Sequence, residues 1–177
     1  QGLAMEINFA GRMLTMSRCY VMGILNVTPD SFSDGGEHLH LESALTHARA
    51  MIEAGAGIID IGGESTRPGA AEVSEPDELA RTIPVIQAIR KENTEVLLSI
   101  DTSKASVARA AVEAGAHIIN DVTALADPEM AAVAAESGAG LVLMHMQGTP
   151  RTMQRAPHYD DVIGEVRDFL EEKTRIA

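Results

Sequence analysis

The chain has 177 residues, 45% of them apolar, and a formal net charge of −12. That length holds one soluble domain with a sizeable core, and no apolar run is long enough to span a bilayer. The acidic balance repels phosphate backbones, and no Trp with only three Phe and two Tyr leaves no stacking platform, which argues against nucleic acid as a partner.

The opening QGLAMEINFAGRM is neither basic nor followed by a long hydrophobic stretch, so it does not read as a signal peptide. Residues 5–18 are expected to form a β-hairpin. Cys19, the single cysteine, cannot make an intramolecular disulfide, which fits a reducing cytoplasm; it reads as a small core residue entering the next strand. That strand, 20–26, runs into GILNVTPDSFSDGG (23–36), where an apolar segment turns into a polar, glycine-closed loop. Leu41, Ala44, Leu45, Ala48, Met51 and Ile52 then lie at offsets 0, 3, 4, 7, 10 and 11, one face of a helix.

The segment EAGAGIID (53–60) recurs as EAGAHIIN (113–120), with six of eight positions identical, and more loosely as ESGAGLVL (136–143). Each copy is the end of an alanine-rich helix, a glycine stop and a continuous apolar strand. Gly55, Gly115 and Gly138 suit the left-handed position after a helix. The strands do not alternate with polar residues, as expected when both faces of a parallel sheet are covered. Further strands are predicted at 58–62, 96–101, 117–121 and 141–146. Between them, Ser74 with Asp77 resembles a capping box, Pro84 is expected to kink or delay its helix, and Asp127-Pro128 marks a helix start. Val162, Ile163, Val166, Phe169 and Leu170 repeat the helical pattern near the end.

Strict β–α alternation implies a parallel sheet, either doubly wound or closed as a barrel. A closed barrel takes eight units and about 250 residues. The expectation is therefore an α/β chain of the (β/α)8 barrel type, with an N-terminal hairpin and about five of the eight units. Residues 1–177 form one domain on this reading, and about a third of the native protein is expected to lie outside them.

Every strand ends in polar residues: Asn26; Asp60, followed by GGESTRPG; Asp101-Thr102-Ser103; Asn120-Asp121; and Met144-His145-Met146-Gln147-Gly148. In a β/α barrel these ends share one face, whereas in an open sheet only those at the switch point converge. Five polar ends favour the barrel. Taken singly, Asp101 or Asp121 is more often a cap than a ligand contact, His145 has no companion at metal spacing, and Met144 is most often core filler. The sequence has no serine nucleophile elbow, Walker loop or dinucleotide glycine fingerprint. Residues 65–69, STRPG, offer two hydroxyls, backbone N–H groups and a guanidinium for an oxyanion. Asn26 has a neutral amide oxygen that suits Mg2+, an ion that keeps most of its waters and bridges substrate phosphates. Asp101 and Asn120, on adjacent strands, pair an acceptor-only group with a donor–acceptor amide and suit a flat heterocycle with an amino group and ring nitrogens.

At these residues the chain resembles the dihydropteroate synthases, the folate-pathway enzymes targeted by sulfonamides. GILNVTPDSFSDGG and GGESTRPGA (62–70) are similar to that family's two active-site loops; SIDTS (99–103), HIIND (117–121) and LMHMQGTP (143–150) match its next strand ends, in family order. The resemblance implies condensation of 6-hydroxymethyl-7,8-dihydropterin diphosphate with p-aminobenzoate, giving 7,8-dihydropteroate and pyrophosphate. It also implies Asn26 as the Mg2+ ligand, Thr66 and Arg67 on the diphosphate, Asp101 and Asn120 on the pterin edge, and Met144 lining the pterin pocket. Phe32 and Pro68 would close over p-aminobenzoate. A homodimer formed through late helices of the complete barrel is implied as well. The family pattern continues with a strand ending DPGxGFGK and later supplies an Asp and a Lys for the pterin, and a Ser, an Arg and a His; these segments do not occur in the chain. Two alternatives stand beside this reading. One is the pterin-binding barrel of a corrinoid methyltransferase, which has no use for a diphosphate-gripping STRPG loop. The other is an inactive, binding-only fragment.

Overall fold

The computed structural model describes residues 5–27, 37–64, 72–150 and 152–177. In chain order the elements are β1 (Glu6–Phe9), β2 (Arg12–Thr15), β3 (Met22–Asn26), α1 (Glu37–Glu53), β4 (Ile58–Gly62), α2 (Glu75–Glu92), β5 (Leu97–Asp101), α3 (Ala105–Glu113), β6 (Ile118–Asp121), α4 (Met130–Ser137), β7 (Gly140–Leu143) and α5 (Val162–Ile176). β1 and β2 form the expected antiparallel hairpin. The other strands make one parallel sheet in the order β3-β4-β5-β6-β7. Each pairs with the next in sequence and the order never reverses. That is the wall of a β/α barrel, since a doubly wound sheet reverses at its switch point.

The three repeat glycines explain why these turns form: Gly55, Gly115 and Gly138 have φ of 101°, 115° and 68°, which only glycine adopts without strain. One face of the sheet presents Leu25, Ile59, Ile61, Leu98, Ile100 and Ile119 to the helices, where Ala44, Leu45 and Ala48 of α1, Val85, Ile86 and Ile89 of α2, Val107, Ala108 and Ala111 of α3 and Met130 and Val133 of α4 join the core. On the other face the register lays side chains out in rows. The lowest row is Met22, Ile58 and Leu97; the middle is Ile24, Asp60, Ser99, Ile118 and Gly140; the top is Asn26, Gly62, Asp101, Asn120 and Val142. Such rows are the layers of a barrel interior.

The hairpin lies at the opposite pole from the strand tips. Ala10 N donates to Gly138 O at 2.8 Å, Arg12 Nη2 donates to Glu95 O at 2.9 Å, and the Phe9 ring fills the space where a Cβ on Gly140 would stand. At the same pole His117 Nδ1 accepts from Leu98 N and faces Arg90 Nη2, each at 3.2 Å. Burial, and then the charges of Arg90 and Arg12, pull the His117 pKa down to about 4, so the ring is neutral and structural.

Several local expectations are corrected. Cys19 is exposed, because it sits in the connection before β3, which starts only at Met22. Pro84 does not delay the start of α2, which runs from Glu75 to Glu92 with the proline inside it; burial of Val85, Ile86 and Ile89 offsets the lost hydrogen bond. β7 stops at Leu143 rather than 146, because its partner β6 ends at Asp121, the last residue it can pair with. α5 forms where the pattern placed it, yet it has no buried residue, and Val162 and Ile163 are exposed. His145 does pack, edge-on to Phe169 with centroids 5.0 Å apart.

Asp127 does not begin α4, which starts at Met130, but caps two elements. Its Oδ1 accepts from Glu129 N at 3.0 Å, in the turn leading into α4, and its Oδ2 accepts from Ala105 N at 2.8 Å, the first residue of α3. Asp127→Ala is therefore expected to lower stability by about 1–2 kcal/mol, read as a shift in urea midpoint at unchanged slope.

Candidate functional site

The top row gathers the site. Asn26 and Asp101 end β3 and β5, and Asn120 is the last but one residue of β6; the three lie at one level and on one face, because each is linked in register through its neighbour, Gly62 standing between Asn26 and Asp101. A Cβ on Gly62 would lie 3.4 Å from Asp101 Oδ2 and 3.7 Å from Asn26 Oδ1. The glycine thus keeps a gap open between the amide and the carboxylate. Met144 follows the end of β7 and is half-buried. Ser74 caps α2 as expected, its Oγ accepting from Asp77 N at 3.3 Å.

Asp101 is half-buried and makes no side-chain hydrogen bond among the described residues. Burial first, then the like charges of Asp60, Glu78, Asp121 and Glu64, raise its pKa to about 7. A carboxyl in that state sits ready for a ligand that brings hydrogen-bond donors. Asn120 Nδ2 donates to Asp60 Oδ2 at 3.0 Å. Asp121 is committed elsewhere: fully buried, it accepts from Thr123 N, Thr123 Oγ1 and Leu125 N at 2.9, 2.6 and 2.7 Å. It holds its own turn, a local backbone role of the kind expected for a lone acid after a strand.

Beside the row lies a second charged cluster. Lys104 Nζ donates to Glu64 Oε2 and to Glu78 Oε2, both at 2.6 Å, and Glu78 is fully buried on α2. Burial lowers the Lys104 pKa, but hydrogen bonds to Glu64 and Glu78 outweigh it, and the net shift is upward. Glu64 Oε1 also accepts from Val73 N at 3.3 Å, and Arg81 Nη1 donates to Gly63 O at 2.9 Å. The cluster therefore ties residue 64 to residue 73 and pins both to α2 and the start of α3.

Asn26, Asp101 and Asn120 are brought together, with Met144 one strand beyond. Phe32, Thr66, Arg67 and Pro68 lie outside the described residues. Sequence reasoning missed Asp60 as a partner of Asn120, and missed the Glu64–Lys104–Glu78 cluster. The first had a signal, a carboxylate two residues before the end of an otherwise apolar strand. The second had none, because Lys104 and Glu78 meet only through tertiary packing.

A model of the pterin binding enzyme family matches residues 22–177. The chain belongs to that family. Among the pterin-binding relatives, the dihydropteroate synthase of Escherichia coli strain K12 is 57% identical over 172 residues, 97% of this chain and 61% of that one. The Yersinia pestis dihydropteroate synthase, solved with a sulfonamide drug complex, superposes with a TM-score of 0.88 at 52% identity, covering 97% of this chain and 62% of that one. The Xanthomonas albilineans dihydropteroate synthase, solved with 4-aminobenzoic acid, gives 0.86 at 50% identity, covering 97% and 60%. The chain thus spans about three fifths of the length of the pterin-binding relatives it matches.

Proposed function

We propose that the chain is the N-terminal part of a dihydropteroate synthase, which joins 6-hydroxymethyl-7,8-dihydropterin diphosphate to p-aminobenzoate and releases pyrophosphate. The observation that carries this is the single row of Asn26, Asp101 and Asn120 on the inner face of a singly wound parallel sheet. In support, the Xanthomonas albilineans relative is described with 4-aminobenzoic acid and the Yersinia pestis relative with a sulfonamide.

On this reading Asp101 and Asn120 hold the pterin edge, with Met144 against the ring. Thr66 and Arg67 grip the diphosphate, and Phe32 with Pro68 covers p-aminobenzoate. The donor chemistry fits Mg2+: Asn26 ends β3 as an exposed neutral amide. An ion held through substrate phosphates and water needs few protein ligands. When bound, Mg2+ would neutralise charge on the departing pyrophosphate. The pterin methylene–oxygen bond breaks with its electron pair leaving on pyrophosphate, in an SN1-like path, and the dihydropterin ring spreads the resulting positive charge. The aryl amine nitrogen then forms the new carbon–nitrogen bond and loses a proton. Arg67 steadies the leaving oxyanion, which is where electrostatic catalysis gains most.

The complete protein is proposed to be a cytoplasmic homodimer. The family resemblance supports this.

The test is product formation. 7,8-Dihydropteroate and pyrophosphate should appear together, only with the diphosphate substrate, and Arg67→Ala should lower turnover more than about tenfold. Binding of the pterin without any turnover would mark a binding-only fragment. Methyl transfer in place of pyrophosphate release would favour the corrinoid-dependent alternative.

A further inference from the structure

Asp60 has no part in the reaction just described, yet its position is unusual. It is 4% exposed, on the middle row, with Asn120 and Asp101 on the row above. Its Oδ2 accepts from Asn120 Nδ2 at 3.0 Å, although Asp60 belongs to β4, Asn120 to β6, and β5 runs between them. The register partner of Asp60 on β5 is Ser99, small and fully buried. Both Asp60 Oδ1 and Ser99 Oγ are buried without a hydrogen-bond partner among the described residues.

A fold has no need of this carboxylate. Burying a charged group with one oxygen unpartnered is costly, and a like charge on Asp101 adds to the cost. What a carboxylate does supply is acceptor character alone. An amide side chain is nearly symmetric in shape and can present either end to a ligand, but only its NH2 end can face an ionised carboxylate.

We propose that Asp60 is a positioning residue that locks the Asn120 amide, turning its NH2 end inward so that Oδ1 and the second N–H meet the ligand in one fixed orientation. The identity of the ligand, a dihydropterin, rests on the function proposed above; the lock itself does not. Two acceptor-bearing groups on neighbouring strands, Asp101 and the fixed Asn120 oxygen, then select a ring edge with two N–H donors.

The test is Asp60→Asn, with Asp60→Ala as the second variant. An Asn at this position can meet either end of the Asn120 amide, so the lock is released while a buried charge is removed. Three results are expected. The melting temperature stays level or rises; a residue kept for the fold alone would lower it. The affinity for 7,8-dihydropterin, read by calorimetry, falls about tenfold, the scale of a hydrogen bond to a charged group. Adding Asn120→Ala costs much less in the Asp60→Asn background than in the wild type, because both changes act through one amide.

A ligand-free readout stands beside these: the side-chain amide resonances of Asn120 in a nitrogen-15 spectrum should move on Asp60→Asn. If they move but the wild type binds no dihydropterin, the lock stands and the pterin reading falls. If the wild type binds dihydropterin and the Asn120 resonances do not respond, or the two substitutions add in full, the lock is overturned.

Discussion

Asp101→Asn is expected to weaken dihydropterin binding by about tenfold to a hundredfold at pH 8, and to remove its pH dependence. The magnitude is that of losing charge-assisted acceptance of one or two N–H donors. The pH dependence follows from the Asp101 pKa of about 7. Only the ionised carboxylate accepts from donors on both oxygens, so in the wild type affinity should fall by up to about tenfold per pH unit below 7. The amide variant has no such group to titrate.

Stability should change in the opposite sense. The folded Asp101 pKa lies above its ordinary 3.8, so the folded chain binds the proton more tightly than the unfolded chain does. Its contribution is fully present below about pH 4 and is lost as pH rises to 7. Asp101→Asn should therefore melt higher than the wild type at pH 8 and at about the same temperature at pH 4. His117 runs the other way, since its folded pKa is depressed to about 4; its contribution is present above about 6.5 and lost as pH falls. The two trends oppose each other in the wild type, and Asp101→Asn should leave the acid loss from His117 visible. Calorimetry and thermal melts from pH 4 to 8 measure both. A wild-type affinity that is flat across pH 6–8 would remove Asp101 as the ring acceptor.

The legible parts of this molecule are those fixed by local chemistry. The glycine stops at 55, 115 and 138, the apolar strands after them, and the alanine-rich faces between are each written within a dozen residues. They recur, and the recurrence carries the parallel sheet; the choice of a barrel over a doubly wound sheet comes from the polar strand ends. The polar strand tips were legible for the same reason: Asn26, Asp101 and Asn120-Asp121 each break an apolar run at the C-terminal end of a strand. What was hidden depends on neighbours distant in sequence. Asp60 looks like one more strand-end acid until the register sets it below Asn120. The role of Asp127 is shared between two helices whose starts are 25 residues apart, so a sequence window over α4 sees only half of it. α5 shows the limit most plainly. An apolar stripe predicts a covering surface, but it does not say which element provides it.

The second large effect falls on Lys104. Among the described residues it is the one basic group bonded to Glu78, whose side chain is fully buried and whose Oε1 has no hydrogen-bond partner there. Lys104→Met keeps the aliphatic stem but leaves that carboxylate unpaired among Glu64, Asp101 and Asp60. Breaking a buried pair in this way costs about 3–5 kcal/mol, read as a loss of urea midpoint. Adding Glu78→Gln should restore part of the stability, since it removes the uncompensated charge. It should not restore affinity for the diphosphate substrate, because Glu64 would still lack the ammonium that ties residues 64 and 73 to α2 and α3. A Lys104→Met chain with an unchanged midpoint would show that the Lys104–Glu78 contact is not a stabilising ion pair.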